Sequence, residues 1–262
     1  MKISIIIPAY NEEKRIGATL KEYSNEFENL RKKKILDYRI LIVINNTKDK
    51  TEDIVKSFKK KNKRISYLNL KEGGKGYATI QGFKHELNSD SDLIGFVDAD
   101  MSTLPKEYFR LASEIGHYDG IIANRYHKKS IISPKPTIQR IIASRVYNFL
   151  IRTLFMFSYK DTQCGAKIFK KYAIKKVVGS LIITRWAFDV DLLFNLRNHK
   201  YNIREVPTVW SDKEYSKINF MRAGPLMALS MIRLRLLNSP FDFIVDFYNK
   251  LPNWTKIHHK LR

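Results

Sequence analysis

An apolar, β-prone run, Leu93-Ile94-Gly95-Phe96-Val97, stops at two carboxylates one residue apart, Asp98 and Asp100. Unbroken apolar runs of this length are how a strand covered on both faces of a parallel sheet reads. In open α/β sheets ligands sit beyond the carboxyl ends of the strands, so both aspartates are expected where a ligand binds. Alternation along an extended chain sends them to the same side. Close carboxylates repel unless a cation lies between them, and a hard, oxygen-seeking Mg²⁺ or Mn²⁺ carrying a diphosphate is the guest that suits them. Read in isolation, Asp100 would as readily cap a helix beginning near Pro105.

Similar runs recur on either side. Strands are expected at residues 3–7, 39–44, 64–70 and 120–123, and helices over about 11–30, from 51, over 77–87 and over 105–115. Asn11 stands where it could cap the first helix. This alternation implies a parallel, Rossmann-like sheet. No G-x-G-x-x-G follows the first strand, which weighs against a dinucleotide. Gly73-Gly74-Lys75-Gly76 lacks the Walker A spacing, but a lysine beside free N–H groups at a helix start suits an anion. Later in the chain, a helix after Pro136, a helix ending near Asn198, a strand at 203–210 and a helix starting at Pro225 are expected.

The net charge of +22 demands an anionic partner: nucleic acid, a membrane surface or a phosphorylated substrate. Residues 121–160 carry eight Lys or Arg and no acid, interleaved with Ile, Val, Tyr and Phe. Such a stretch reads as a solvated face or as an element lying on a membrane surface. The tail from residue 217 is also basic and apolar. The apolar-rich run 226–237 is too short, and too charged, to span a bilayer. Lys2 leads straight into a strand-like run rather than a signal peptide. The single cysteine, Cys164, rules out an internal disulfide and fits a small buried residue in a reducing compartment. No zinc-finger spacing or aromatic RNA-binding motif appears, and the six histidines show no ligand pattern, so nucleic acid is not the expected partner.

Taken together, Pro8-Ala9-Tyr10-Asn11-Glu12, Lys75-Gly76, Asp98-Ala99-Asp100, Asp161-Thr162-Gln163-Cys164-Gly165 and Arg185-Trp186-Ala187-Phe188-Asp189-Val190 resemble the motifs of family 2 glycosyltransferases. The last two resemble the branch that loads sugars onto polyprenyl phosphates, the dolichyl-phosphate β-glucosyltransferase-like enzymes. Val209-Trp210 and Ser216-Lys217 match a late strand and loop of that branch. The chain departs from the pattern at Asn45 and Asn46, where the family has acids, and at Ala166, where the branch has an aromatic residue.

The resemblance implies a GT-A fold: a mostly parallel sheet flanked by helices, with a glycosyltransferase domain over residues 1–217 and a basic amphipathic region over 218–262. Residues 1–124 would bind the nucleotide-sugar and 125–217 the acceptor. It implies inverting transfer of a hexose, glucose or N-acetylglucosamine, from a UDP-sugar to dolichyl or polyprenyl phosphate at the cytoplasmic face of a membrane. Asp98 and Asp100 would hold Mg²⁺ or Mn²⁺. Pro8, Tyr10, Glu12 and Asn45 would frame the nucleoside, with Lys75 at the diphosphate. An Asn45 carbonyl can still accept from a uracil N–H. Arg125, Arg145, Lys167 and Gln163 are expected at the acceptor phosphate, with Arg140 in reserve. Asp189 matches the place of a catalytic base, although a phosphate nucleophile is already anionic and needs one less. Trp186 is a candidate sugar platform or a core residue. The helices at 136–157 and 225–237 would dip into one leaflet. The alternatives are a family 2 enzyme with a soluble saccharide or protein acceptor, and a basic nucleic-acid-binding module.

Overall fold

The computed structural model describes residues 1–182, 187–211 and 220–250. β1 (Lys2–Ala9), α1 (Ile16–Lys32), β2 (Asp37–Asn45), α2 (Thr51–Lys61), β3 (Ile65–Leu70), α3 (Lys75–Glu86), β4 (Leu93–Phe96), α4 (Pro105–Ser113) and β5 (Gly120–Asn124) alternate as the apolar pattern predicts. β6 (Ile131–Ile132), α5 (Ile138–Phe155), β7 (Lys167–Lys170), α6 (Lys171–Val177), α7 (Phe188–Asn198), β8 (Ile203–Pro207), β9 (Val209–Trp210), α8 (Phe220–Leu237) and α9 (Phe243–Lys250) follow.

Seven strands form one sheet in the order β3-β2-β1-β4-β7-β5-β8. Every pairing is parallel except those of β7, which runs antiparallel to both β4 and β5. The expected mostly parallel α/β sheet is therefore present, with one strand inserted that the sequence did not reveal. β7 is four residues long, and its lysines at both ends hide its apolar centre.

Alternation sorts the strand residues onto two cores. Ile3, Ile5, Ile7, Ile40, Ile42 and Ile44 pack under α1, α2 and α4 against Tyr23, Phe27, Val55, Tyr108 and Leu111. Ile6, Leu41 and Val43 face the other way, toward Phe83, Ile151, Phe155, Leu192, Met231 and Leu234 of α3, α5, α7 and α8.

Three local expectations are corrected. Asn11 is no helix cap: it sits in the left-handed region (φ 52°), its Oδ1 accepts the Lys48 N–H at 2.9 Å, and α1 starts later, after Arg15. Pro225 does not open a helix but lies inside α8. The late strand divides at Thr208, with β8 joining the main sheet and β9 pairing with β6 in a separate two-stranded sheet. Among the described residues no helix is long and apolar enough to cross a membrane. α8 buries Met227, Met231 and Leu234 in the protein, so it is α5 that presents the larger exposed apolar face, with Ile138 75% and Phe149 70% exposed.

Candidate active site

The chain passes from β1 to β2 and β3 on one side, then returns to β4 on the other, which makes the β1/β4 boundary a topological switch point. β4 pairs with β1 only as far as Phe96 opposite Ile6, and the Val97 N–H donates to the Ile6 carbonyl at 3.0 Å. Pro8, two residues on, faces the same side where β4 has already ended, so its missing donor costs the sheet nothing. Tyr10 and Glu12 follow β1 there, Asp98 and Asp100 follow β4, and the charges of the two aspartates reach Glu12.

Burial alternates through the end of this segment: Val97 and Ala99 are buried, while Asp98 and Asp100 are half-buried. The Ala99 carbonyl accepts the Thr19 hydroxyl at 2.7 Å, which ties the loop to α1. Asp100 does not cap α4; its Oδ1 accepts the Ser102 N–H at 2.9 Å, and α4 begins at Pro105 with no side-chain cap. Asp98 is ion-paired with Lys75 at the start of α3. Burial alone would lower the Lys75 pKa, but the charges of Asp98, Asp189 and Asp100 outweigh it and hold the ammonium well above its ordinary value. Glu12 completes the acidic surround. Burial raises its pKa, Arg15 opposes that with two hydrogen bonds of 2.6 Å, and the charges of Asp100 and Asp98 raise it further.

Asn45 is buried and fully engaged. Its Nδ2 donates to the Ala9 carbonyl and its Oδ1 accepts the Gly74 N–H, both at 3.0 Å. It staples the glycine loop to the end of β1. Gly74 has φ +130°, a conformation open in practice to glycine, and it hands the chain into α3 with Lys75 as the first residue.

Gly165 allows the acceptor-side loop to close on the acid pair: a Cβ there would lie 1.8 Å from Asp98 Oδ2. Two residues on, Lys167 is fully buried. Its Nζ donates to the Cys164 carbonyl at 2.7 Å and to Asp189 Oδ1 at 2.5 Å, and lies 5.3 Å from the centre of the Phe96 ring. Lys75 lies 6.0 Å from the same ring. Lys167, expected at an acceptor phosphate, is thus paired inside the fold, and Asp189 is held by it at the start of α7. Burial pushes the Cys164 thiol up to about 12, so it is inert. The Gln163 Nε2 is buried without a partner.

Arg125 is also engaged. Its Nε and Nη2 fork onto buried Asp161 at 2.8 and 3.0 Å, and its backbone N–H adds a third bond at 2.9 Å. Burial would raise the Asp161 pKa, but the Arg125 charge and these bonds bring it below the usual carboxylate range. Arg125 also lines a pocket of about 320 Å³, together with Lys135, Arg140, Arg145, Ile141 and Trp210 among others. Trp210 flanks the guanidinium at 5.2 Å, and Arg145 covers Tyr126 at 4.8 Å. The fold therefore gathers three of the expected arginines and adds Lys135.

Residues 4–178 match the family described as Glycosyl transferase family 2. The chain belongs to that family. It is 32% identical to the dolichyl-phosphate β-glucosyltransferase of Dictyostelium discoideum over 89% of this chain and 73% of the relative, and 28% identical to that of Homo sapiens over 90% and 76%. Among solved structures it is similar to the Mycobacterium tuberculosis glucosyl-3-phosphoglycerate synthase crystallised with Mn²⁺, UDP and phosphoglyceric acid, with a TM-score of 0.64 at 13% identity, covering 90% of this chain and 77% of that one. It is likewise similar to a Pyrobaculum calidifontis mannosyltransferase in complex with GDP-Man and Mn²⁺ (TM-score 0.60, 14% identity, 99% and 68% covered). These similarities bear out the GT-A fold.

In this family 2 chain the structure brings Glu12, Lys75 and Gly165 to Asp98 and Asp100, with the Lys167–Asp189 pair near Lys75 and with Pro8 and Tyr10 at the end of β1. Arg185, Trp186, Ser216 and Lys217 lie outside the described residues. Sequence reasoning missed Asp161 as the partner of Arg125, Lys135 in the basic pocket, and Tyr147 on α5, whose buried hydroxyl has no hydrogen-bond partner. Only Asp161 carried a signal, as the first acid after forty residues without one.

Proposed function

We propose that the chain transfers glucose, with inversion at the anomeric carbon, from UDP-glucose to a polyprenyl phosphate of dolichyl type, associating peripherally with the cytoplasmic face of a membrane. Glucose, rather than N-acetylglucosamine, follows from the names of the relatives. Asp98 and Asp100 are suited to a hard divalent cation. Two carboxylates would leave most of such an ion's coordination to substrate phosphates and water. Bound there, Mg²⁺ or Mn²⁺ neutralises charge on the departing UDP. Tyr10 and Glu12 border the nucleoside end, and Lys75 can turn from Asp98 to the diphosphate.

One observation carries the acceptor class: the basic pocket opens beside the exposed stripe Ile138, Ile142, Val146 and Phe149 on α5. The spacing puts these residues along one helix face. A polyprenyl phosphate requires both features, cations for its head and an apolar surface continuous with the bilayer for its chain. Exposed Phe243 and Phe247 on α9 offer a second apolar contact. The phosphate nucleophile is ionised near neutral pH, its second pKa being about 6, so Asp189 acts by positioning through Lys167 rather than by removing a proton.

The test is transfer from radiolabelled UDP-glucose to farnesyl phosphate with and without Mn²⁺, beside UDP-N-acetylglucosamine, GDP-mannose and water-soluble saccharide acceptors. Solvent-extractable label from UDP-glucose that requires the metal is expected. Transfer to soluble saccharides and none to farnesyl phosphate would overturn the reading.

A further inference from the structure

Tyr147 sits on the face of α5 that lines the acceptor pocket. Arg140, Ser144 and Tyr147 are spaced by four and three residues, so they stack along one side of the helix. Arg140 and Ser144 line the basic pocket, and Tyr147 lies one turn deeper, packed against the core that includes Phe188 and Leu192 of α7. The neighbouring polar groups on this face are bonded in the resting protein. Ser144 hydrogen-bonds Tyr126, and Asn148 Nδ2 donates to the Tyr126 hydroxyl and to the Ser144 carbonyl, both at 3.2 Å. The Tyr147 hydroxyl is buried and has no hydrogen-bond partner among the described residues.

A buried hydroxyl without a partner is costly, and phenylalanine would fill the same space without that cost. The second unpartnered donor at the site, Gln163 Nε2, belongs to the loop that carries Cys164 and Gly165. Burial and the nearby Asp189 charge both push the Tyr147 pKa up, so the phenol keeps its proton and serves as a donor. It lies one helical turn from Ser144 of the pocket and close enough to Asp189 to feel its charge.

Resting on the acceptor reading above, we infer that Tyr147 is a positioning residue whose hydroxyl donates a hydrogen bond to the acceptor phosphate and orients it for attack. The bond forms only with acceptor bound, which is why the donor is idle without it.

The experiment is steady-state kinetics of the full chain and of Tyr147→Phe with UDP-glucose and farnesyl phosphate, together with thermal melting and Mn²⁺-dependent UDP binding. For the variant, kcat/KM for farnesyl phosphate falls about 10- to 100-fold, the scale of one hydrogen bond to a charged group. The KM for UDP-glucose and the affinity for UDP stay unchanged, and the melting temperature is unchanged or higher because no bond is lost. A merely structural role would lower the melting temperature, and a sugar-reading role would move the loss to UDP-glucose; either result overturns the assignment, as does an unchanged acceptor kcat/KM. If the wild type fails to glucosylate farnesyl phosphate, the acceptor reading itself falls and this assignment with it.

Discussion

Asp98 and Gly165 meet across the site so closely that a Cβ on the glycine would lie 1.8 Å from the Asp98 carboxylate oxygen. The loop after β4 and the loop before β7 are thereby locked at one atom-sized gap. Gly165→Ala must displace Asp98 or the loop, and a shift of about 1 Å in a catalytic arrangement costs on the order of 100-fold. Initial rates should fall by at least that much, with Mn²⁺-dependent UDP binding weakened in parallel by calorimetry.

Among the described residues Asp100 has no cationic side chain bonded to it and makes a local turn bond to Ser102. Asp100→Asn should therefore leave folding intact while UDP binding stops responding to Mn²⁺. Turnover should drop roughly 100- to 1,000-fold, the usual loss when one charge-stabilising group is removed. Adding EDTA to the wild type should reproduce the loss, and an excess of Mn²⁺ should reverse it.

Arg125 and Arg145 line one pocket but differ in what holds them. Arg125→Ala strands the buried Asp161 charge, and breaking such a pair by removing one partner costs roughly 3–5 kcal/mol. Arg145 is exposed, so Arg145→Ala should change stability by less than about 0.5 kcal/mol. Its effect should appear instead as a KM for farnesyl phosphate raised about tenfold. Urea melts beside acceptor titrations separate the two outcomes.

Asp191, in the first turn of α7, is fully buried and accepts from Ile182 N–H at 2.6 Å and Asn195 Nδ2 at 2.9 Å. Burial pushes its carboxyl up from 3.8 to about 7. The folded state then holds this proton more tightly than the unfolded state, so the group contributes most stability below about pH 4 and loses it as pH rises toward 7. A shift of that size corresponds to about 4 kcal/mol. In denaturant melts, the stability of the wild type relative to Asp191→Asn should decline between pH 4 and 7 and level off above.

The apolar stripe on α5 predicts membrane binding. The double substitution Ile142→Glu and Phe149→Glu changes exposed positions, so the melting temperature should hold. Co-sedimentation with vesicles containing anionic lipid should be strong for the wild type at low salt, weaken as salt is added, and vanish for the variant.

Much of the donor side was legible in the chain because its signals are local. Runs such as Ile3 to Ile7 and Leu93 to Val97 can only be covered strands, and the carboxylates that end the second run lie at the strand tips wherever the sheet closes. β7 was not legible, since four residues bounded by lysines carry no periodicity of their own. Asn45 shows the same limit at a single residue. Its amide could serve a ligand or the backbone, and only the fold brings Ala9 and Gly74 within its reach.

The sequence by itself determined the parallel sheet, the acid pair at its edge and the excess of positive charge, because apolar periodicity and strand ends are properties of neighbouring residues. Tertiary structure alone decided which cations face a ligand. Lys167 and Arg125 look like free phosphate binders in the chain, yet the fold sets Asp189 and buried Asp161 against them, while Lys135 and Arg145 line an open pocket. Whether a charge is compensated internally or left for a partner depends on contacts between residues tens of positions apart, and those exist only once the chain has packed.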